Sequence, residues 1–158
     1  MAETDSRERD KLIYDVVLNR YDLEWKRTND IDSKASGIVG FAGVLATLSA
    51  GISQFVLNHS FRSWLFMPSL LFILSVLFGL GGYGLGTFRT IEPDAFIRTF
   101  GDSDETEVRR TYVATISEMT MFNFQQNNAK VNWVRMSLTT LGIAISLFFI
   151  IAIISMMA

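Results

Sequence analysis

The sequence predicts an all-α integral membrane protein with three transmembrane helices and cytosolic helical extensions that form a stalk. Three observations predict it. Hydrophobic residues fill 49% of 158 positions and gather in three uncharged blocks rather than spreading through a globular pattern. Each block, at ~1.5 Å rise per residue, approaches or exceeds the ~30 Å of a bilayer's hydrocarbon core. The stretches before and between the blocks are charged and helically periodic.

Composition removes several function classes. A net charge of −2 gives no basic surface for nucleic acid, so no nucleic-acid partner is expected. Without cysteine there are no disulfides, thiolate metal sites or cysteine nucleophiles. The one histidine, His59, cannot form a cluster within a chain, and no metal or cofactor is expected. The first apolar block begins near residue 37, too deep for a secretory leader, and reads as a retained span.

Residues 1–36 form the first element, a cytosolic amphipathic helix. Tyr14, Val17, Leu18, Tyr21 and Trp25 fall at helical spacing, and Arg7 to Ser36 contains neither Pro nor Gly. Nothing between residues 26 and 38 breaks a helix, so it runs into the first span and projects about 40 Å from the bilayer.

Residues 37–88 are a transmembrane hairpin. Its first span, Gly37 to Leu57, is not greasy all round. Ser36, Gly40, Gly43, Thr47, Gly51, Gln54 and Asn58 recur at spacings of four and three, which places them on one helical face. Val39, Leu45, Leu48, Ile52, Phe55 and Val56 lie on the opposite, lipid-suited face. The small and polar face has two readings. It is a close-packing surface, as small-xxx-small patterns are in lipid. Alternatively it lines a water-filled pathway, with Gln54 and Asn58 at the outer end. The turn around His59 is a short solvated connection. The second span runs from about Ser63 to Phe88, with Trp64 at the interface and Pro68 in the first turn. Gly79, Gly81 and Gly84 spell GxGxxG, and Gly82-Tyr83-Gly84 spells a filter-like triplet. Both end a span instead of joining a strand to a helix or forming a re-entrant loop. They are read as close packing against the glycine face of the first span.

Residues 89–135 are a cytosolic helical segment. Pro93 to Phe100 forms a short helix, and Asp102 with Glu105 has capping-box spacing for a long one. Val108, Tyr112, Ile116, Met119 and Phe122 form a stripe that packs on the first helix. Gln125 to Asn128 marks either a break or a site of interhelical hydrogen bonding. Trp133 is an interfacial anchor. Residues 136–158 carry the third span. Of the 14 Lys and Arg, seven precede the first span and six lie between the second and third. That bias puts the N-terminus and residues 89–135 in the cytoplasm and the C-terminus outside, in the cell membrane.

No catalytic constellation is present, so the chain is not expected to be an enzyme. The spans hold no ionisable residue at mid-membrane, which argues against a proton-coupled transporter or voltage sensor. One chain has too few spans to enclose a pore, so a conducting pathway requires a homo-oligomer.

Asp32-Ser33-Lys34-Ala35-Ser36, directly before the first span, resembles the D-x-K-A-S element of Pycsar-type transmembrane effectors and related SLATT-like prokaryotic membrane proteins. The order of cytosolic helix, hairpin, cytosolic segment and further span is also similar. The resemblance covers most of the chain in layout and five residues in motif. It implies antiviral defence by membrane disruption or pore formation, triggered by a nucleotide signal or a cytosolic protein. Asp32 and Lys34 carry over as a membrane-proximal ion pair or oligomer contact; their plainer reading is interfacial solvation, with Lys34 snorkelling. No cyclic-nucleotide pocket is evident, which points to a separate sensor protein. The leading expectation is a homo-oligomeric channel or inducible pore passing ions, lined by Gly40, Gly43, Thr47, Gly51, Gln54 and Asn58. The alternative is a non-conducting membrane adaptor that binds a partner through its cytosolic helices.

Overall fold

The structure is a computed structural model and describes residues 2–55, 63–84, 88–92, 98 and 104–157. The expected turn with Asn58 and His59, most of the short helix 93–100, and Asp102 lie outside the described residues. The three long elements are all helical: α1 (Ala2–Phe55), α2 (Phe66–Gly84) and α3 (Glu105–Met157). All three are long and apolar enough to cross a membrane, as expected of a multi-pass protein.

α1 is unbroken, as its lack of Pro and of mid-helix Gly before residue 37 predicts. α3 is also a single helix through Gln125–Asn128 and past Gly142. Its start is capped by Asp104, one of the acids of the expected start. The Asp104 carboxylate accepts the Thr106 N–H at 3.2 Å, and its carbonyl accepts the Val108 N–H at 3.0 Å. α2 is described as far as Gly84, and Phe88, the expected last residue of the second span, is not helical.

The buried residues of the two long helices fall on heptad seams. On α3 they include Ile116, Asn123, Lys130, Ser137, Ala144 and Ile151, at every seventh position. On α1 they are Glu24, Thr28, Ile31, Ala35, Ala42 and Ser49, at spacings of four, three, four, seven and seven. Such spacing keeps one stripe turned toward a neighbouring helix over many turns. Polar residues recur on both seams, where a soluble coiled coil would carry Leu or Val.

The chain divides into two compact units, and α1 and α3 each contribute to both. The first unit comprises Met1–Asn29 and Gly86–Asn128. In it α1 and α3 run parallel. Tyr14 stacks on Tyr112 with centroids 5.8 Å apart, Ile116 is buried, and Asn127 meets Glu24 and Thr28. This is the packing expected of the Tyr112–Ile116 stripe.

The second unit comprises Asp30–Leu85 and Ala129–Ala158. Here α2 runs antiparallel to both long helices. Ser69 meets Ser49 and Ser75 meets Ser137, at 2.8 and 3.2 Å between hydroxyls. Ala42, Phe72, Leu141 and Ala144 form the core, flanked by Ile38, Leu45, Val76 and Phe148. Small and hydroxylated residues at the contacts allow close approach where lipid supplies no hydrophobic force. Contrary to the expectation from sequence, the α2 glycines do not meet the glycines of α1. A Cβ at Gly79 would lie 2.5 Å from a Val39 methyl, one at Gly81 2.9 Å from the Trp133 ring, and one at Gly82 3.1 Å from Val134. Two of the three thus seat α3, and Trp133 packs inward on Gly81 and Phe78 rather than acting only as an interfacial anchor.

Candidate functional site: the outer face of the first span

Within the membrane span, α1 presents two small-residue faces. The inner one, Ala35, Ala42 and Ser49, is fully enclosed by α2 and α3, with Ile38, Leu45 and Ala46 beside it. The outer one is the predicted stripe. Ser36, Gly40 and Thr47 are exposed, and Gly43 and Gly51 are half-buried. A Cβ added at Gly40, Gly43 or Gly51 would meet no neighbouring atom within 4 Å. The stripe is therefore one continuous surface, and among the described residues no other part of the chain packs on its glycines. This corrects the intramolecular form of the packing reading.

Thr47 donates its hydroxyl back to its own helix, to the Gly43 carbonyl at 2.7 Å and the Val44 carbonyl at 3.0 Å. Its donor is thus satisfied, and its oxygen lone pairs remain directed outward. The side chain of Gln54 and all of Asn58 lie outside the described residues. The stripe is flanked by Phe41, Val44 and Leu48, each more than half exposed. The expected lipid-facing set is split. Leu48 and Ile52 are exposed as predicted, whereas Val39 and Leu45 pack inward on α2 and the core.

Asp32 and Lys34 do not pair with each other. Asp32 accepts two hydrogen bonds from Lys130 Nζ, at 2.8 and 3.1 Å, and Lys34 is exposed. The Lys130 side chain is 5% exposed and that of Asp32 28%. The geometric reason is helical: residues 32 and 34 sit on different faces of α1, and only the first lies beside the α3 seam. An ion pair this enclosed is held by geometry and by its hydrogen bonds, because desolvation offsets much of its attraction.

A second polar group joins the Gln125–Asn128 patch to partners that spacing alone does not identify, and adds the buried Asn123. In the first unit Asn127 donates to the Glu24 carboxylate at 2.9 Å and to the Glu24 carbonyl at 3.2 Å. Its own carbonyl oxygen accepts from Thr28 at 2.9 Å. Arg27 donates to Asn128 at 2.8 Å. Gln125–Asn128 thus holds interhelical hydrogen bonds rather than a break. Asn123, 1% exposed, binds the main chain of Arg89. The signal that would have found these residues is the heptad: Asn123 and Lys130 stand seven and fourteen positions after Ile116. Among the described residues no three His, Cys, Asp or Glu side chains converge as a metal ion would require. Comparison with protein-family models, with curated proteins and with solved structures finds no match to this chain, so the site is read from its own geometry.

Proposed function

We propose that this chain is the subunit of a homo-oligomeric ion channel or inducible pore, with the outer α1 stripe turned toward the axis of the assembly. The supporting observation is the unpartnered stripe. Ala35, Ala42, Ser49, Ser75, Gly79, Gly82 and Ser137 are enclosed within the chain, whereas Ser36, Gly40, Gly43, Thr47 and Gly51 are left open along one face of α1; Thr139 and Gly142 of α3 are open as well. Lipid contact favours large apolar side chains, which the exposed Leu77, Leu80, Leu138, Ile143, Phe149 and Ile153 supply elsewhere. A glycine face gives lipid little area and gives a neighbouring helix close approach. Placed around an axis, the same face offers backbone, hydroxyl and, farther along, Gln54 and Asn58 to passing ions.

In this reading residues 1–36 and 89–135 lie in the cytoplasm and set assembly and gating. The basic bias supports that orientation, in the cell membrane with the C-terminus outside. The resemblance at Asp32–Ser36 suggests a role in antiviral defence, with a nucleotide signal or protein partner acting on the cytosolic helices.

A second reading has its own observation. The first unit carries an open groove of about 790 Å3, lined by Ile13, Val17, Arg109, Arg110, Val113 and Ala114 among others. A partner segment seated there would make the protein an adaptor with dry spans. Ion flux from liposomes holding the purified chain, read beside its oligomer mass, separates the two. Flux from a defined oligomer upholds the channel. A stable species that passes no ions overturns a constitutively open channel and leaves the adaptor or a pore that opens only on its cytosolic signal.

A further inference from the structure

In the first unit α1 carries two heptad rows. Tyr14, Val17, Tyr21, Glu24 and Thr28, at spacings of three, four, three and four, are buried or half-buried. They turn toward α3, where Tyr14 stacks on Tyr112 and both Glu24 and Thr28 hydrogen-bond with Asn127. Leu12, Val16, Asn19 and Leu23 follow the same rhythm, four, three and four, on another face. All four are exposed, with Leu12 at 64%, Val16 at 55% and Leu23 at 52%. Single exposed apolar side chains are ordinary on a protein surface. Three of them in one heptad row form a stripe that fits another helix.

The charges beside this stripe select the partner. With Leu12 and Asn19 at d and Val16 and Leu23 at a, Asp15 and Asp22 fall at g and Arg20 and Arg27 at e. In a parallel, in-register pair, a g residue of one helix faces the e residue five positions on in the other. Asp15 of one copy then meets Arg20 of a second, and Arg20 of the first meets Asp15 of the second. Within one copy these two residues stand about 140° apart around the helix, where side chains do not pair. Asp22 and Arg27 have the same spacing, but Arg27 already donates to Asn128 and lies 3.5 Å from Glu24, so the pair at 15 and 20 carries the recognition. Copies inserted in one orientation run parallel, and rotation about the membrane normal keeps each residue level with its counterpart. Asn19 then faces Asn19, where each amide can both donate and accept. A shift in register would set that amide against carbon.

We propose that Leu12, Val16, Asn19 and Leu23 form a parallel coiled-coil seam with α1 of a second copy of this chain, its register set by Asp15 and Arg20. The inference rests on the homo-oligomeric reading above and names the surface through which the cytosolic part of α1 assembles. Two heptads associate weakly alone, but copies held in one assembly meet at high effective concentration. The chain has no native cysteine, so single cysteines can be placed in the full-length protein and oxidised in native membranes. Asn19→Cys is expected to give disulfide dimers. Lys11→Cys, at an exposed position of the same helix outside the seam, should give several-fold fewer. In the Asn19→Cys background, Asp15→Arg brings like charges together and should cut the dimer fraction several-fold. Adding Arg20→Asp reverses both signs and should restore it. A residue that acted only in the fold of its own copy would show no such rescue. An oligomer of unchanged mass that crosslinks equally at both positions, and ignores the charge reversals, overturns the seam alone. A parent that is monomeric by mass and uncrosslinked in the membrane overturns the homo-oligomeric reading, and the seam with it.

Discussion

Residues 42 and 43 are neighbours in sequence and opposites in circumstance. Ala42 is fully enclosed in the core of the second unit, whereas a side chain at Gly43 would meet nothing within 4 Å. The same contrast runs along the span: Ala35, Ala42 and Ser49 on the inner face, Ser36, Gly40, Gly43, Thr47 and Gly51 on the outer. Both faces have the composition that membrane helices use for close approach. Composition therefore marks a face as suited to packing without saying which partner packs there. The inner face has α2 and α3; the glycines of the outer face meet no described part of the chain.

The sharpest break of this comparison is a pair of substitutions one residue apart. Ala42→Leu should destabilise the detergent-solubilised monomer by about 3 kcal/mol, because added methylenes overfill a closed core. Gly43→Leu should leave monomer stability unchanged or slightly higher and dissociate the oligomer. Thermal unfolding and mass measurement on both variants check this, and similar melting losses in the two would erase the distinction.

The Asp32–Lys130 pair probes the inner seam by chemistry instead of volume. Lys130→Met leaves the carboxylate unpaired beside α3 and should cost about 2 kcal/mol, less than a fully buried pair because Asp32 keeps some solvent. Adding Asp32→Asn should recover part of that loss, and a double-mutant cycle by denaturant unfolding reads the coupling. Strict additivity would mean that the pair is not holding the seam.

A smaller contrast sets two glycines against each other. Gly79→Ala should destabilise by about 1 kcal/mol, since its Cβ would press on Val39. Gly40→Ala should instead stabilise the monomer by about 0.5–1 kcal/mol through helix propensity alone. Melting temperatures of opposite sign are the expected result.

The smallest effect belongs to the first unit. Burial pushes the Tyr21 and Tyr112 phenols above their ordinary value near 10, and neighbouring phenol and carboxylate charge adds to it. The folded state therefore favours the neutral phenols. Their contribution is intact below pH ~10 and is lost as pH rises through the raised values. Near-ultraviolet circular dichroism of the folded protein should hold to about pH 10 and weaken above it, and Tyr21→Phe should reduce that alkaline loss.

Much of the fold was legible because its signals are local. Uncharged blocks of membrane length gave the spans, the absence of Pro and Gly gave an unbroken α1, and Tyr14 and Tyr112 lie on the predicted apolar stripes. The outer stripe was also legible, since Ser36 to Gly51 share one face by spacing alone. What stayed hidden is relational. Spacing could not tell that Ala35, Ala42 and Ser49, rather than the glycines, would meet α2. Asp32 has Lys34 as its near neighbour in sequence, yet its partner lies 98 positions away. Phe88 reads as the tail of a greasy block because hydropathy cannot separate a lipid-facing ring from one docked on Tyr21 and Trp25. Asn123 is polar, and a polar residue in a charged helix gives no hint of burial until the heptad through Ile116 and Lys130 is followed.

The central claim is that the outer stripe of α1 faces other copies of the same chain, and site-directed disulfide formation in the membrane tests it most directly. Single cysteines at Gly43, Thr47, Leu48 and Ile52 in the otherwise cysteine-free chain would be oxidised in native membranes and resolved by mass. The account predicts crosslinked dimers and higher species at Gly43→Cys and Thr47→Cys, and little at Leu48→Cys and Ile52→Cys. Equal crosslinking at all four positions, or none at the stripe, would contradict it.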